Sequence, residues 1–250
     1  MGDLKKISSL QWLCFDTEQR PVAVREACAL ARTFLLAGRE RAAHRALFEA
    51  LPMDTVARVR EGWGGRDPTA PGDPPELLAQ YNHVREFVGL RDFLTARDRC
   101  ARWTDFAAGR PAGDGLHDQG QDFFRRRREM WESEHDALAA EAAEALLGVL
   151  QFPGGWLRDE GTDPASRSHR AAELAELRQR FTAGLARDLL RLYSATNQLT
   201  NAFALVQVVD SKDLAQEMTR TDLRSFLKDV RLVALRLLEQ GASPSEIPPA

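Results

Sequence analysis

Valine, isoleucine and threonine are sparse in this 250-residue chain, and no window shows the apolar–polar alternation of a strand. Strands draw on β-branched and aromatic side chains, so their scarcity argues against a sheet-based fold. Only three cysteines occur, Cys14, Cys28 and Cys100, far apart and never in a CxxC pair. That pattern argues against a disulfide framework and a zinc site, and fits a reducing compartment, cytosol or nucleus. No run of about 18 apolar residues is present, so no membrane span is expected. The start, MGDLKKISSL, lacks the apolar core of a signal peptide, and Lys6 breaks the myristoylation pattern. Lysine and arginine number 34 against 37 aspartates and glutamates, a formal charge of -3. With no basic excess, direct contact with nucleic acid is not expected.

Catalytic signatures are missing too. The chain has no HExxH, GxSxG, P-loop or strand–GxGxxG–helix unit. The glycine pairs Gly64-Gly65 and Gly154-Gly155 precede no Lys-Ser/Thr pair and read as turns. The five histidines, His44, His83, His117, His135 and His169, show no helical ligand spacing. Glu134-His135-Asp136 comes nearest to a metal triplet. Successive helical residues point about 100° apart, so a solvated face is expected there. The chain reads as no enzyme and as needing no cofactor.

What is present is helix. Alanine, leucine, arginine and glutamate dominate, and such side chains lose little freedom in a helix. Leu4, Ile7, Leu10, Leu13 and Cys14 give 4–14 one apolar face. A second helix follows Thr17, takes Pro21 into its first turn, and ends at Gly38 as a C-cap glycine would end it. Its stripe is Ala27, Leu30, Ala31, Phe34 and Leu35. Residues 39–50 form a third helix, and Asp54 is placed to cap a short one at 55–61. GWGGRDPTAPGDPP at 62–75 reads as a loop, and a mobile one. Helices are expected at 75–88 and 91–106, then a second Gly/Pro loop at 109–120.

A long helix over 120–150 carries Phe123, Phe124, Met130, Trp131, Leu138, Ala142, Ala145, Leu146 and Val149 on its apolar side. Its run Arg125–Arg128 suits phosphate or a nuclear address. However, Glu129, Glu132 and Glu134 follow, and i,i+4 pairs such as Arg128 with Glu132 neutralise part of it. A solvated face is the reading. FPGGW at 152–156 is a turn. Asp163-Pro164 opens a helix reaching about 194, with Leu174, Leu177, Phe181, Leu185, Leu189 and Leu192 in register. A shorter apolar helix covers 198–209. The last runs 222–240, capped by Thr221 and ended by Gly241. The whole is an all-α fold, an irregular solenoid or bundle of about ten helices. One domain, 1–250, is expected, with loops at 62–75 and 109–120 and a frayed tail at 242–250. No fixed repeat period appears.

The last helix has more apolar surface than one contact needs. Leu223, Phe226, Leu227, Val230, Val233, Leu237 and Leu238 cluster around one face. By the 100° step Leu232 falls opposite them and Leu235 on their flank. Either a neighbouring helix such as 198–209 covers the extra edge, or a second protein does.

Four local motifs occur in order: LQWLCFD at 10–16, LPMDTV at 51–56, FPGGWL at 152–157 and LRLLEQGASP at 235–244. Together they resemble the C-terminal domain of the nucleoporin hundred-and-seven family, whose yeast member is the nucleoporin of eighty-four kilodaltons. The resemblance spans about 4–247. The two Gly/Pro loops are richer in those residues than the family pattern.

The resemblance implies a structural, α-helical tail module of a coat-like scaffold, part of the Y-shaped outer-ring complex of the nuclear pore at the nuclear envelope. It implies support of nucleocytoplasmic transport and pore assembly. The implied partner is the C-terminal helical domain of the nucleoporin hundred-and-thirty-three. Other Y-complex nucleoporins would be met through an N-terminal region outside this sequence, making the chain a fragment or last domain. The family's partner surface falls here on 198–209 and 222–240. Leu232 and Leu235, with Phe226 nearby, are the expected hydrophobic contacts, and Lys228 and Arg231 the rim charges. Trp12 and Trp156 match family motifs and are expected to pack in the core. The competing function is a helical adaptor that binds peptides in a groove.

Overall fold

The helix-favouring composition is realised throughout: in the computed structural model every regular element among the described residues is helical. Those residues are 2–52, 54–64, 66–68, 70, 72–109, 121–150, 164–196, 198, 201–202, 205 and 219–239. The FPGGW turn, residues 110–120, most of 198–209 and the tail lie outside them. The elements are α1 (Gly2–Phe15), α2 (Arg20–Leu36), α3 (Glu40–His44), a π-helical turn (Arg45–Glu49), α4 (Thr55–Glu61), α5 (Pro75–Ala108), α6 (Gln121–Leu150), α7 (Pro164–Ala195) and α8 (Arg220–Glu239).

The chain divides into two compact units. The first joins Met1–Leu94 to Gln151–Gln179, and the second joins Thr95–Leu150 to Arg180–Ala250. α5 and α7 each supply residues to both.

In the first unit α2 is the central helix, packed against α1, α3, the π-helical turn and α4. Ala23, Ala27 and Ala31 are fully buried along it, and such small side chains let neighbouring backbones come close. Pro21 stands in its first turn. Gly38, at φ 71°, ends it in a Schellman motif. The Gly38 N–H donates to Leu35 at 2.9 Å and the Arg39 N–H to Phe34 at 2.7 Å. The helix expected over 39–50 changes to π geometry at Arg45, where the Ala50 N–H reaches back to the Arg45 carbonyl at 3.0 Å.

Other expectations meet corrections. Asp54 makes no side-chain cap to α4; its own backbone is already helical and its carboxylate pairs with Arg58. The break expected near residue 89 does not occur. Gly89 is buried, as are Phe87, Leu90 and Phe93 of the same helix, and with no proline or cap the helix continues despite glycine's cost of about 1 kcal/mol. The described part of the 62–75 loop is tied down. Trp63 is buried and donates from Nε1 to Gln80 at 3.2 Å, Arg66 pairs with Asp73 at 3.0 Å, and Arg60 with Asp67 at 3.0 Å. Thr221 lies within the first turn of α8, which starts at Arg220. Trp12 is exposed on α1 beside exposed Phe15, because Leu10 and Cys14 take the inward face.

Four charges cluster in the first unit, Arg32 and Glu86 buried and Arg170 and Glu173 half-buried. Arg32 of α2 pairs with Glu86 of α5, and its Nε donates to Glu173 of α7 at 2.8 Å. Arg170 of α7 reaches the other Glu86 oxygen at 2.8 Å. Beside them His83 donates from Nδ1 to the Ala79 carbonyl at 2.6 Å. Burial first, then the positive charge of Arg170, pushes the His83 pKa down to about 4. The cysteines are free and buried. Burial, with Glu86 adding to it, pushes the Cys28 thiol well up. Burial chiefly raises Cys100 to about 11. All three thiols therefore stay protonated and behave as small apolar side chains.

His83 gives the fold a pH dependence. Its folded pKa lies below the unfolded value near 6.5, so the unfolded chain takes up the proton first. Stability is full above that value and falls as the pH drops toward 4. Between about pH 7.5 and 4.5 this one group should cost about 2–3 kcal/mol as an upper figure. Urea denaturation of parent and His83→Gln at both pH values checks it: the variant should lose less stability by that amount.

Candidate functional site

α8 is amphipathic, and its two faces have different fates. Phe226 (1% exposed), Val230 and Val233 are buried. They recur at spacings of three and four, so they share one side of the helix. Leu232 and Leu235 point elsewhere and are 57% and 56% exposed. Lys228 and Arg231 are exposed as well. Of the five residues expected at the partner surface, the structure thus brings four to the exterior. Phe226 does not join them: it anchors α8 within its own unit, because the 100° step sets it with Val230 and Val233.

Leu232 and Leu235 line a groove of about 630 Å³ between α7 and α8. α7 contributes Leu190, Arg191, Ser194 and Ala195 to it, and Asp229, Val233, Arg236 and Glu239 complete the α8 wall. The two walls are bonded together. Arg236 Nη1 donates to the Ser194 hydroxyl at 2.8 Å and to its carbonyl at 3.3 Å. Asp188, one turn before the groove, holds Arg97 at 3.3 Å and Arg191 at 3.6 Å. The groove therefore has an apolar floor and charges of both signs at its edge. Among the described residues it holds no converging nucleophile and base, and it suits a side chain or helix ridge from another molecule. The α7 wall escaped the sequence reading because Arg191 and Ser194 look like ordinary surface residues of a long helix.

Elsewhere the structure settles several motifs. His135 is buried, where a solvated face was expected. Trp103 Nε1 donates to its Nε2 at 3.1 Å, its ring stacks on Trp131 at 4.9 Å, and Asp136 meets Nδ1 at 3.1 Å. Phe106 also stacks on Trp131, at 5.7 Å. This aromatic cluster pins α5 to α6 inside the second unit. Arg125–Arg128 are exposed, as read from sequence, and Arg128 pairs with Glu132 at 3.0 Å. Phe123 and Met130 are exposed rather than in the core. Among the described residues no His/Cys/Asp/Glu group could hold a metal ion. No described helix is long and apolar enough to cross a membrane.

Among the described residues, an all-helical fold with an apolar groove and ridge has the form of a surface that docks another protein. Comparison with known proteins gives the family. The family described as "Nuclear pore protein 84 / 107" matches residues 1–234, and the chain belongs to that family. It is 28% identical over 257 residues to nuclear pore complex protein Nup107 of Mus musculus, covering 97% of this chain and 27% of that protein. Against Nup107 of Homo sapiens it is 27% identical over 259 residues, with the same two shares. Against that of Drosophila melanogaster it is 24% identical over 267 residues, covering 97% and 31%. The chain thus spans about a quarter to a third of these relatives. Membership places it among the nuclear pore proteins.

The division of α8 into an inner and an outer face is testable by stability. Phe226→Ala should cost about 3–5 kcal/mol, as for other buried phenylalanines. Leu232→Ala and Leu235→Ala should each stay within about 1 kcal/mol of the parent. Urea denaturation followed by circular dichroism measures both, and a loss at Leu232 equal to that at Phe226 would put Leu232 in the core.

Proposed function

We propose that this chain is a scaffold component of the Y-shaped outer-ring complex of the nuclear pore, located at the nuclear envelope and acting there in pore assembly and nucleocytoplasmic transport. Residues 1–250 serve as one tail module. The module binds the C-terminal helical domain of the nucleoporin hundred-and-thirty-three. Other Y-complex nucleoporins are contacted by parts of a longer polypeptide. The family match supports the scaffold role. The observation that carries the binding role is the exposed Leu232/Leu235 pair, on a helix whose other face is already committed to its own unit.

Within that reading the residues divide by role. Leu232 and Leu235 supply the apolar anchors that carry most of an interface's energy when they fill a partner's pocket. Lys228 and Arg231 stand beside them at the rim, where charge sets partner choice and association rate more than affinity. Phe226 acts indirectly, by holding α8 in place. The groove between α7 and α8 favours a second reading, an adaptor that takes a single peptide helix instead of a folded domain. The two separate on the size of ligand required.

Co-purification tests the proposal. Leu232→Glu with Leu235→Glu should abolish capture of the partner's C-terminal helical domain and leave the far-ultraviolet circular dichroism and Tm close to the parent. Unchanged capture would contradict it. Capture of an isolated partner helix as strongly as the whole domain would favour the adaptor reading.

A further inference from the structure

The first half of α6 carries a second exposed apolar surface, distinct from the groove. Phe123 is 64% exposed and Met130 74%. They stand seven residues apart, about two turns, and so lie nearly on one line of the helix. Arg126 and Arg127 fall between them on the same face, three and four residues from each, and both are exposed. The other two arginines of the run turn aside into i,i+4 pairs, Arg125 with Glu129 at 3.9 Å and Arg128 with Glu132 at 3.0 Å. Arg126 and Arg127 enter no such pair among the described residues. Single exposed apolar residues need no explanation. Two at seven-residue spacing, with one cation on each side of the line that joins them, make a surface that is apolar at its two ends and positive between.

We propose that this face docks an acidic amphipathic helix of another protein, one with an apolar ridge at seven-residue spacing and carboxylates on its flanks. Charge complementarity selects that occupant. The ridge covers Phe123 and Met130 while aspartates or glutamates meet Arg126 and Arg127. An anionic membrane surface fits less well. Residues 125–134 hold four arginines but also Glu129, Glu132 and Glu134, and Glu134 lies on the same face one turn past Met130. A lipid surface presents negative charge everywhere and is repelled by those carboxylates, whereas a helix places its own only opposite the arginines.

The test uses two synthetic helical peptides of about three heptads. One has leucines at seven-residue spacing flanked by glutamates, and its twin has lysines in their place. Fluorescence anisotropy at low salt should show the chain binding the glutamate peptide at least about tenfold tighter than the lysine twin. That advantage should shrink as salt rises. Arg126→Glu with Arg127→Glu should reverse the preference, and Met130→Ser should weaken the glutamate peptide by about tenfold. Circular dichroism should stay unchanged in both variants, since every altered side chain is exposed. Equal affinity for the two peptides, or an unreversed preference in the charge-swapped variant, overturns the proposal. So does tighter binding to phosphatidylserine-containing vesicles than to the glutamate peptide.

Discussion

Arg32 and Glu86 are buried inside the first unit, with half-buried Arg170 and Glu173 closing on them, and neither buried charge can stay there alone. An isolated buried charge costs several kcal/mol, and removing one partner of a buried pair costs about 3–5 kcal/mol. Arg32 must therefore find both Glu86 and Glu173, the latter 141 positions away in sequence, and Arg170 must find Glu86. These pairings link α2, α5 and α7 and are met together in the observed register of the three helices. Neighbouring groups adapt to them: His83 stays neutral beside Arg170, and the Cys28 thiol stays protonated beside Glu86.

The second unit is held differently. Its α5–α6 contact rests on aromatic stacking around His135, and its α7–α8 contact on buried leucines and valines plus the Arg236–Ser194 bonds. With Phe226, Val230 and Val233 buried, α8 is anchored without Leu232 or Leu235. These two leucines are thus left over from folding. A scaffold protein uses such surplus well, because an interface built on a helix already fixed in place loses little entropy on binding. The exposed face of α6 has the same character and the opposite end of the charge scale from an acidic partner.

Much of this was legible in the sequence. The all-α class, the C-cap at Gly38, the register of α7 and the second apolar edge of α8 follow from 3.6-residue periodicity and the residue types that start and stop helices, whereas the expected count of about ten helices split Pro75–Ala108 in two. Family membership followed from short motifs in the right order. The misses share a cause. Periodicity marks which residues lie on one face, yet it does not say which face finds a neighbour. Phe123 and Met130 fit an apolar stripe and are exposed, and Trp12, expected in the core as part of a family motif, is exposed too, whereas His135 sits in a charged string and is buried beside Trp103 and Trp131. Phe226 lies on the wheel with Val230 and Val233 and is buried with them; its expected place near the partner surface came from the family resemblance and not from periodicity. The groove wall from α7 and the four-charge cluster depend on residues far apart in sequence, and no local pattern marks them.

Hydrogen exchange of the full chain, with and without the C-terminal helical domain of the nucleoporin hundred-and-thirty-three, tests the central claim most directly. Protection gained on binding should concentrate in 219–239 and in 190–195 at the groove wall, with α2 and the first half of α5 unchanged. Protection confined to the first unit, or none in α8, would contradict the account.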